Sequence, residues 1–207
     1  MNTTTSLKTS AVFKRIYDLA FSSVGLVVLS PLFLFIAVAV KCSDGGPIIF
    51  RQRRIGQAGR PFHILKFRTM LVNAERAGLS VTRRGDSRVT SLGRILRKTK
   101  LDELPQLWNV LCGEMSLVGP RPEVPQYVEH YTPWQRRVLD LKPGITDLAT
   151  LEFRNEEELL SSAPDVEQFY LRYCVPRKIE LNLQYAREAN LWRDSQIIFK
   201  TLLPVKF

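Results

Sequence analysis

From Leu19 to Val40 the chain carries no charged residue, and apolar side chains fill most of the positions. Wound as a helix, that run is about 33 Å long, enough for a hydrocarbon core of about 30 Å. It is too long and too far along the chain for a signal-peptide core, and no small-residue cleavage site follows it. A membrane element is therefore expected over residues 11–41, after a Thr/Ser-rich tail over 1–10 that reads as disordered. Ser30-Pro31 interrupts the run. Proline removes a helix hydrogen bond and clashes with the preceding turn, and the Ser30 hydroxyl can satisfy the freed carbonyl. Basic residues flank both ends, with Lys8, Lys14 and Arg15 before and Lys41, Arg51, Arg53 and Arg54 after. The positive-inside rule then places both ends on the cytoplasmic face. A re-entrant helix broken at Ser30-Pro31 satisfies this. A proline-kinked span with its N-terminus outside is the alternative.

The pattern changes after the turn cluster Ser43-Asp-Gly-Gly-Pro47. Ile48–Gly56 and Phe62–Met70 read as two strands around the turn Gln57–Pro61, a β-hairpin. Alternation puts Phe62, Ile64, Lys66 and Arg68 on one face. For Lys66 and Arg68 the pattern favours a solvated face, with a phosphate contact as the alternative. Residues 73–89 read as a loop. Thr90 caps a helix in which Leu92, Ile95 and Leu96 share a face. A second helix is expected from Asp102 to Leu111, with Trp108 in the core and Gly113 as the stop. Thr132-Pro-Trp-Gln135 has the form of a capping box. Asn155–Leu160 reads as an acidic, solvated helix. Val166–Leu203 reads as two helices that pack on the core or lie on a membrane surface. The fold class is α+β, mostly α-helical, with residues 42–207 forming one domain.

Charge sharpens the picture. The chain of 207 residues has a formal net charge of +10. Residues 41–100 hold 15 Lys/Arg against 3 Asp/Glu, whereas residues 145–207 hold 8 against 10. A basic band beside a membrane element can meet anionic headgroups or bind a phosphorylated substrate. Nucleic acid is the competing partner, but zinc-finger, RNP-type and basic-zipper patterns are missing. Cys42, Cys112 and Cys174 have no metal-type spacing and read as reduced thiols. The two histidines, His63 and His130, make no zinc motif.

The candidate chemistry lies where the basic band ends. Asp102 and Glu103 stand side by side after Arg94, Arg97, Lys98 and Lys100. Adjacent acids beside clustered bases suit phosphate chemistry: they can hold a divalent cation or attack phosphorus. The plainer reading is a helix start in which Asp102 caps, and the two are compatible. Gly119-Pro-Arg-Pro122 is rigid, because two prolines fix φ and restrict their neighbours. Taken alone, it reads as a turn that exposes Arg121.

Together these pieces resemble the bacterial sugar transferase family, the small monotopic phosphoglycosyl transferases. The matching segments are the Ser30-Pro31 break, Gly46–Gly56, Lys66–Met70, Arg94–Leu107, Gly113–Pro122 and Lys142–Thr146. The resemblance implies transfer of a sugar 1-phosphate from a UDP-sugar to a polyprenyl (undecaprenyl) phosphate, with release of UMP. It implies Mg2+ and a covalent aspartyl intermediate, with Asp102 as nucleophile and Glu103 as its acid/base or metal partner. Arg97, Lys66 and Arg68 would bind phosphate, and Pro120, Arg121 and Pro122 would form part of the nucleotide site. The re-entrant helix would anchor the chain at the cytoplasmic face of the bacterial inner membrane. Two departures stand out: Lys100 replaces a frequent serine, and Asp147-Leu-Ala-Thr150 replaces the usual Gly-Trp-Ala-Gln. The rival readings are a metal-dependent pyrophosphate or phospholipid hydrolase and a membrane-anchored adaptor.

Overall fold

A computed structural model describes residues 3–74 and 85–203, with side chains from Ala11 onward apart from that of Glu157. Residues 1–2 of the expected tail, and residues 75–84 of the expected 73–89 loop, lie outside the described residues. Helix α1 covers Thr3–Val28 and α2 covers Ser30–Asp44. They meet at a bend of 61°. Pro31 lacks the N–H that would reach the Val27 carbonyl. The Ser30 hydroxyl donates to that carbonyl at 2.8 Å, so the break leaves no orphan. Among the described residues no single helix is long and apolar enough to cross a membrane, but the bent pair meets that test together.

Strands β1 (Ile49–Ile55) and β2 (Pro61–Phe67) form the expected antiparallel hairpin, with Ile49 opposite Phe67 and Ile55 opposite Pro61. Helix α3 (Ser91–Lys98) starts at Thr90, whose hydroxyl accepts the Gly93 N–H. A Cβ at Gly93 would lie 2.0 Å from the Thr69 carbonyl, so only glycine lets α3 close on the hairpin. A 3-10 turn, Leu101–Glu103, then leads into α4 (Gln106–Cys112), which Gly113 ends at φ 86°. Two short parallel strands, β3 (Ser116–Val118) and β4 (Gly144–Thr146), had no periodic signature in the sequence. Between them lie α5 (Pro125–Glu129) and a 3-10 segment, Gln135–Asp140, which opens on the expected Thr132/Gln135 capping box. Short helices α6 (Leu148–Glu152), α7 (Glu156–Ser161) and α8 (Val166–Phe169) follow. A π-helical segment, Tyr170–Cys174, runs into α9 (Val175–Glu188), and α10 (Leu191–Leu202) comes last.

Three apolar clusters hold these elements together. The first packs α5, α7 and α9 around Tyr127, Leu160, Tyr170 and Ile179. The second joins Ile64 of β2, Val110 of α4, Val118 of β3 and Ile197 of α10. The third sets Ile36 and Val40 of α2 against Phe67 and Leu96. Helix α1 packs Tyr17 on the second cluster and adds polar contacts. Arg15 donates to the Val110 and Leu111 carbonyls at the end of α4, Lys14 pairs with Asp194, and Asp18 accepts the Leu117 N–H at 3.0 Å. The opposite faces of α1 and α2 leave Val12, Phe13, Ile16, Phe21, Val24 and Val27 more than half exposed, and Leu34, Phe35 and Val38 likewise.

Trp108, Ile95, Lys66 and Arg68 depart from the sequence expectations. Trp108 is 53% exposed rather than core, and Ile95 is 61% exposed rather than sharing the buried face of Leu96. In both cases α1 and α2 cover only part of the helix beneath them. Lys66 and Arg68 do not lie on a solvated face: their side chains are 18% and 7% exposed, and each has an acidic partner.

Candidate active site

The backbone before the acid pair is tightly bent. Lys100 has φ 58°, in the left-handed region that a lysine rarely adopts. This single residue ends α3 and turns the chain into the 3-10 turn that carries Asp102 and Glu103. Asp102 is therefore inside the turn and does not cap α4, as the plainer sequence reading had it. Both carboxylates are buried.

The two acids have opposite surroundings. Glu103 is clamped by cations. Lys66 on β2 donates to its Oε1 at 3.0 Å, and Arg121 grips both oxygens in a two-pronged pair. Burial alone would raise the Glu103 pKa, but Arg121 and Lys66 outweigh it and hold the group well below the usual glutamate range. Asp102 has no such clamp. Its Oδ1 is buried without a hydrogen-bond partner. Burial raises its pKa, opposed chiefly by the charge of Lys66 and assisted by that of Glu103. Burial likewise lowers the Lys66 pKa, and Glu103 restores part of it. The site thus pairs one carboxylate spent on holding two cations with one left free for chemistry.

Arg121 is not the freely exposed turn residue that its sequence setting suggested. The Gly119–Pro122 loop is pinned from several sides. A Cβ at Gly119 would lie 2.3 Å from the Lys142 carbonyl, so this glycine lets the β3 and β4 chains touch. The Arg121 N–H donates to Asp147 Oδ2 at 3.2 Å, and Asn182 of α9 donates to that same oxygen at 2.8 Å. Asp147 also caps α6 by accepting the Thr150 N–H. On the far side of the loop, half-buried Arg54 donates to the Pro122 carbonyl at 3.2 Å and stands 3.7 Å from Glu123.

The structure therefore brings together Asp102, Glu103, Lys66, Arg121 and its two proline neighbours. It does not bring Arg68 into that group. Arg68 forks onto Asp44 and donates to the Pro47 carbonyl, which ties the hairpin to the end of α2. Arg97 lies on α3 with its Nε bonded to Thr69 Oγ1 at 2.9 Å. Sequence reasoning missed Arg54, Asp147 and Asn182 as supports of the loop. Only Asp147 left a signal, as a departure from the family's usual run. Among the described residues no three His, Cys, Asp or Glu side chains cluster as a metal site. Within the group just described, Asp102 Oδ1 is the acidic oxygen buried without a hydrogen-bond partner. That donor set fits an ion held by one or two carboxylates together with substrate phosphates and water.

A buried carboxylate with an unpartnered oxygen thus stands beside a lysine and an arginine, and Leu101 and Leu104 of the same stretch pack on the cluster that includes Ile36 and Val40 of α2. The chain belongs to the bacterial sugar transferase family, whose sequence model matches residues 9–207. It is 40% identical over 195 residues to the UDP-glucose:undecaprenyl-phosphate glucose-1-phosphate transferase of Klebsiella pneumoniae, covering 92% of this chain and 39% of that protein. The protein of the same name from Caulobacter vibrioides is 38% identical over 192 residues, 91% of this chain and 68% of that one. The UDP-N-acetylgalactosamine-undecaprenyl-phosphate N-acetylgalactosaminephosphotransferase of Aeromonas hydrophila is 36% identical over 195 residues, 93% of this chain and 43% of that one. The chain thus spans about two fifths of the Klebsiella relative and of its Escherichia coli counterpart, 39% in each case.

Proposed function

We propose that this chain transfers a sugar 1-phosphate from a UDP-sugar to undecaprenyl phosphate at the cytoplasmic face of the bacterial inner membrane, releasing UMP. The observation that carries the reading is the free, buried Oδ1 of Asp102 beside the Lys66–Glu103–Arg121 clamp. In the first half-reaction an Asp102 oxygen attacks the phosphorus that bears the sugar. The new bond is O–P, the bond broken joins that phosphorus to the bridging oxygen, and UMP leaves with the electron pair. In the second half-reaction an oxygen of undecaprenyl phosphate attacks the same phosphorus and the Asp102 carboxylate leaves. Repulsion between a carboxylate and a phosphate opposes the first step. Lys66 and Arg121 offset it, and Glu103 holds both cations in place. A magnesium ion, when bound, supplies further neutralisation at the phosphoryl oxygens, with Asp102 as one ligand and Glu103 as its neighbour.

The re-entrant arrangement is part of the same reading. Helix α1 spends one face on polar bonds to the catalytic domain and keeps its apolar residues outward, which suits a helix that enters a leaflet and returns after the 61° bend. A lipid acceptor then reaches Asp102 without leaving the bilayer. The direct test is UMP release by the purified chain from UDP-glucose, UDP-galactose and UDP-N-acetylgalactosamine, with and without undecaprenyl phosphate. Release of UMP that yields a lipid-linked sugar diphosphate is the expected result. Release of inorganic phosphate or of free sugar phosphate alone would identify a hydrolase instead.

A further inference from the structure

Two carboxamides are buried one turn apart on α4, and they differ completely in how they are satisfied. Asn109 uses all its bonding groups. Its Oδ1 accepts the Leu65 N–H at 3.0 Å, and its Nδ2 donates to the His63 carbonyl at 2.8 Å and to Glu114 at 2.7 Å. It staples α4 to strand β2. Gln106 is just as enclosed, at 1% exposure, yet neither its Oε1 nor its Nε2 has a partner. Buried amides are nearly always paired, and leaving one unpaired destabilises a fold. Gln106 lies one helical turn beyond Asp102 and Glu103, and Asp102 Oδ1 is the other unpartnered atom of that turn. Lys66 and Arg121 are already engaged by Glu103. Gln106 is a buried, uncommitted donor one helical turn along the chain from Asp102.

We propose that Gln106 is a catalytic ligand of the donor substrate: its Nε2 donates to an oxygen of the phosphorus that Asp102 attacks. The inference rests on the transferase reading above. A preorganised neutral donor at this position stabilises charge on the phosphoryl oxygens without competing for the carboxylates. The free protein keeps the amide unpaired, and substrate satisfies it.

The test uses the full chain in detergent micelles and the variants Gln106→Met and Gln106→Leu, which keep bulk and remove the polar atoms. Thermal unfolding is measured without ligand. Single-turnover UMP release is measured with whichever of UDP-glucose, UDP-galactose and UDP-N-acetylgalactosamine the unsubstituted chain uses fastest. Both variants should unfold at or above the temperature of the unsubstituted chain, because an unpaired buried amide has been removed. UMP release should slow about 10- to 100-fold, the worth of a hydrogen bond to a charged group. Variants that unfold well below the unsubstituted chain would mean that the amide is bonded in the free fold and would overturn the proposal. Variants with unchanged UMP release would mean that Gln106 does not contact the donor substrate, and would overturn it too. An unsubstituted chain that releases no UMP would sink the transferase reading itself, and that result is distinct from either.

Discussion

Glu103→Gln removes the single negative charge on which Lys66 and Arg121 converge, and leaves two cations facing a neutral amide in an enclosed site. Breaking a fully buried ion pair from one side costs about 3–5 kcal/mol. The Arg121 side chain is 33% exposed, so water screens part of that loss, and about 2–3 kcal/mol is the expected cost here. For a chain of this size that lowers the midpoint of thermal unfolding by roughly 5–10 °C. The pH dependence follows from the direction of the shift. The folded-state pKa of Glu103 is depressed below its ordinary value of 4.5. Its stabilising contribution is therefore fully present above that value and is lost as pH falls through the folded pKa. The gap between the original chain and Glu103→Gln should be level from about pH 6 to 8 and close on acidification below about pH 4.5. Thermal unfolding in detergent, extended to Arg121→Gln and the double variant, measures the coupling directly. Strict additivity of the two single losses, or a midpoint within about 1 °C of the original for Glu103→Gln, would refute the clamp.

Asp102→Asn should abolish turnover and leave unfolding at neutral pH unchanged or raised, because burial has already raised this carboxyl's pKa and its charge is a cost to the fold; a clear fall in stability would contradict that. The same upward shift places the acid limb of kcat/KM above the ordinary aspartate range, and Lys66→Gln should move the limb higher still, since Lys66 is the strongest influence lowering that pKa; a limb at the ordinary value in both proteins would remove Asp102 as the titrating nucleophile. Pro31→Ala restores an N–H to the Val27 carbonyl and should straighten the 61° bend. Tags at both ends of the original chain should then be accessible from the cytoplasmic side, with one tag moving to the other side in Pro31→Ala; unchanged accessibility would show that the bend does not set topology.

Local features were the ones legible in the sequence. Thr90 as a cap, Gly113 as a stop, the Thr132/Gln135 box and the hairpin each follow from a residue's own chemistry or from period two. The serine beside the proline break also did what its hydroxyl predicts. Lys66 and Arg121 were harder to read. The hairpin pattern cannot reveal that α4 and the 101–103 turn close over Lys66, nor a Pro-rich turn that its arginine folds back onto Glu103. Those contacts join residues 18 to 37 positions apart in sequence. Trp108 was misplaced for the converse reason: apolar spacing marks a helix face, but it cannot tell whether the rest of the chain covers that face, and Trp108 is 53% exposed. The β3–β4 pair is too short for any period and is set by the contact of Gly119 with Gly144. The supports of Arg121 come from Asp147 and, across 61 positions of chain, from Asn182 on α9, which no local pattern announces.

The central claim is that Asp102 carries the sugar phosphate. Intact mass measurement of the chain after incubation with its UDP-sugar and magnesium, without undecaprenyl phosphate, tests it most directly. The account predicts an added mass of one sugar phosphate per chain, a matching burst of UMP, loss of the adduct when undecaprenyl phosphate is added, and no adduct on Asp102→Asn. Normal transfer in the presence of both substrates, with no adduct and no lipid-independent UMP, would contradict it and leave direct attack by the lipid phosphate as the route.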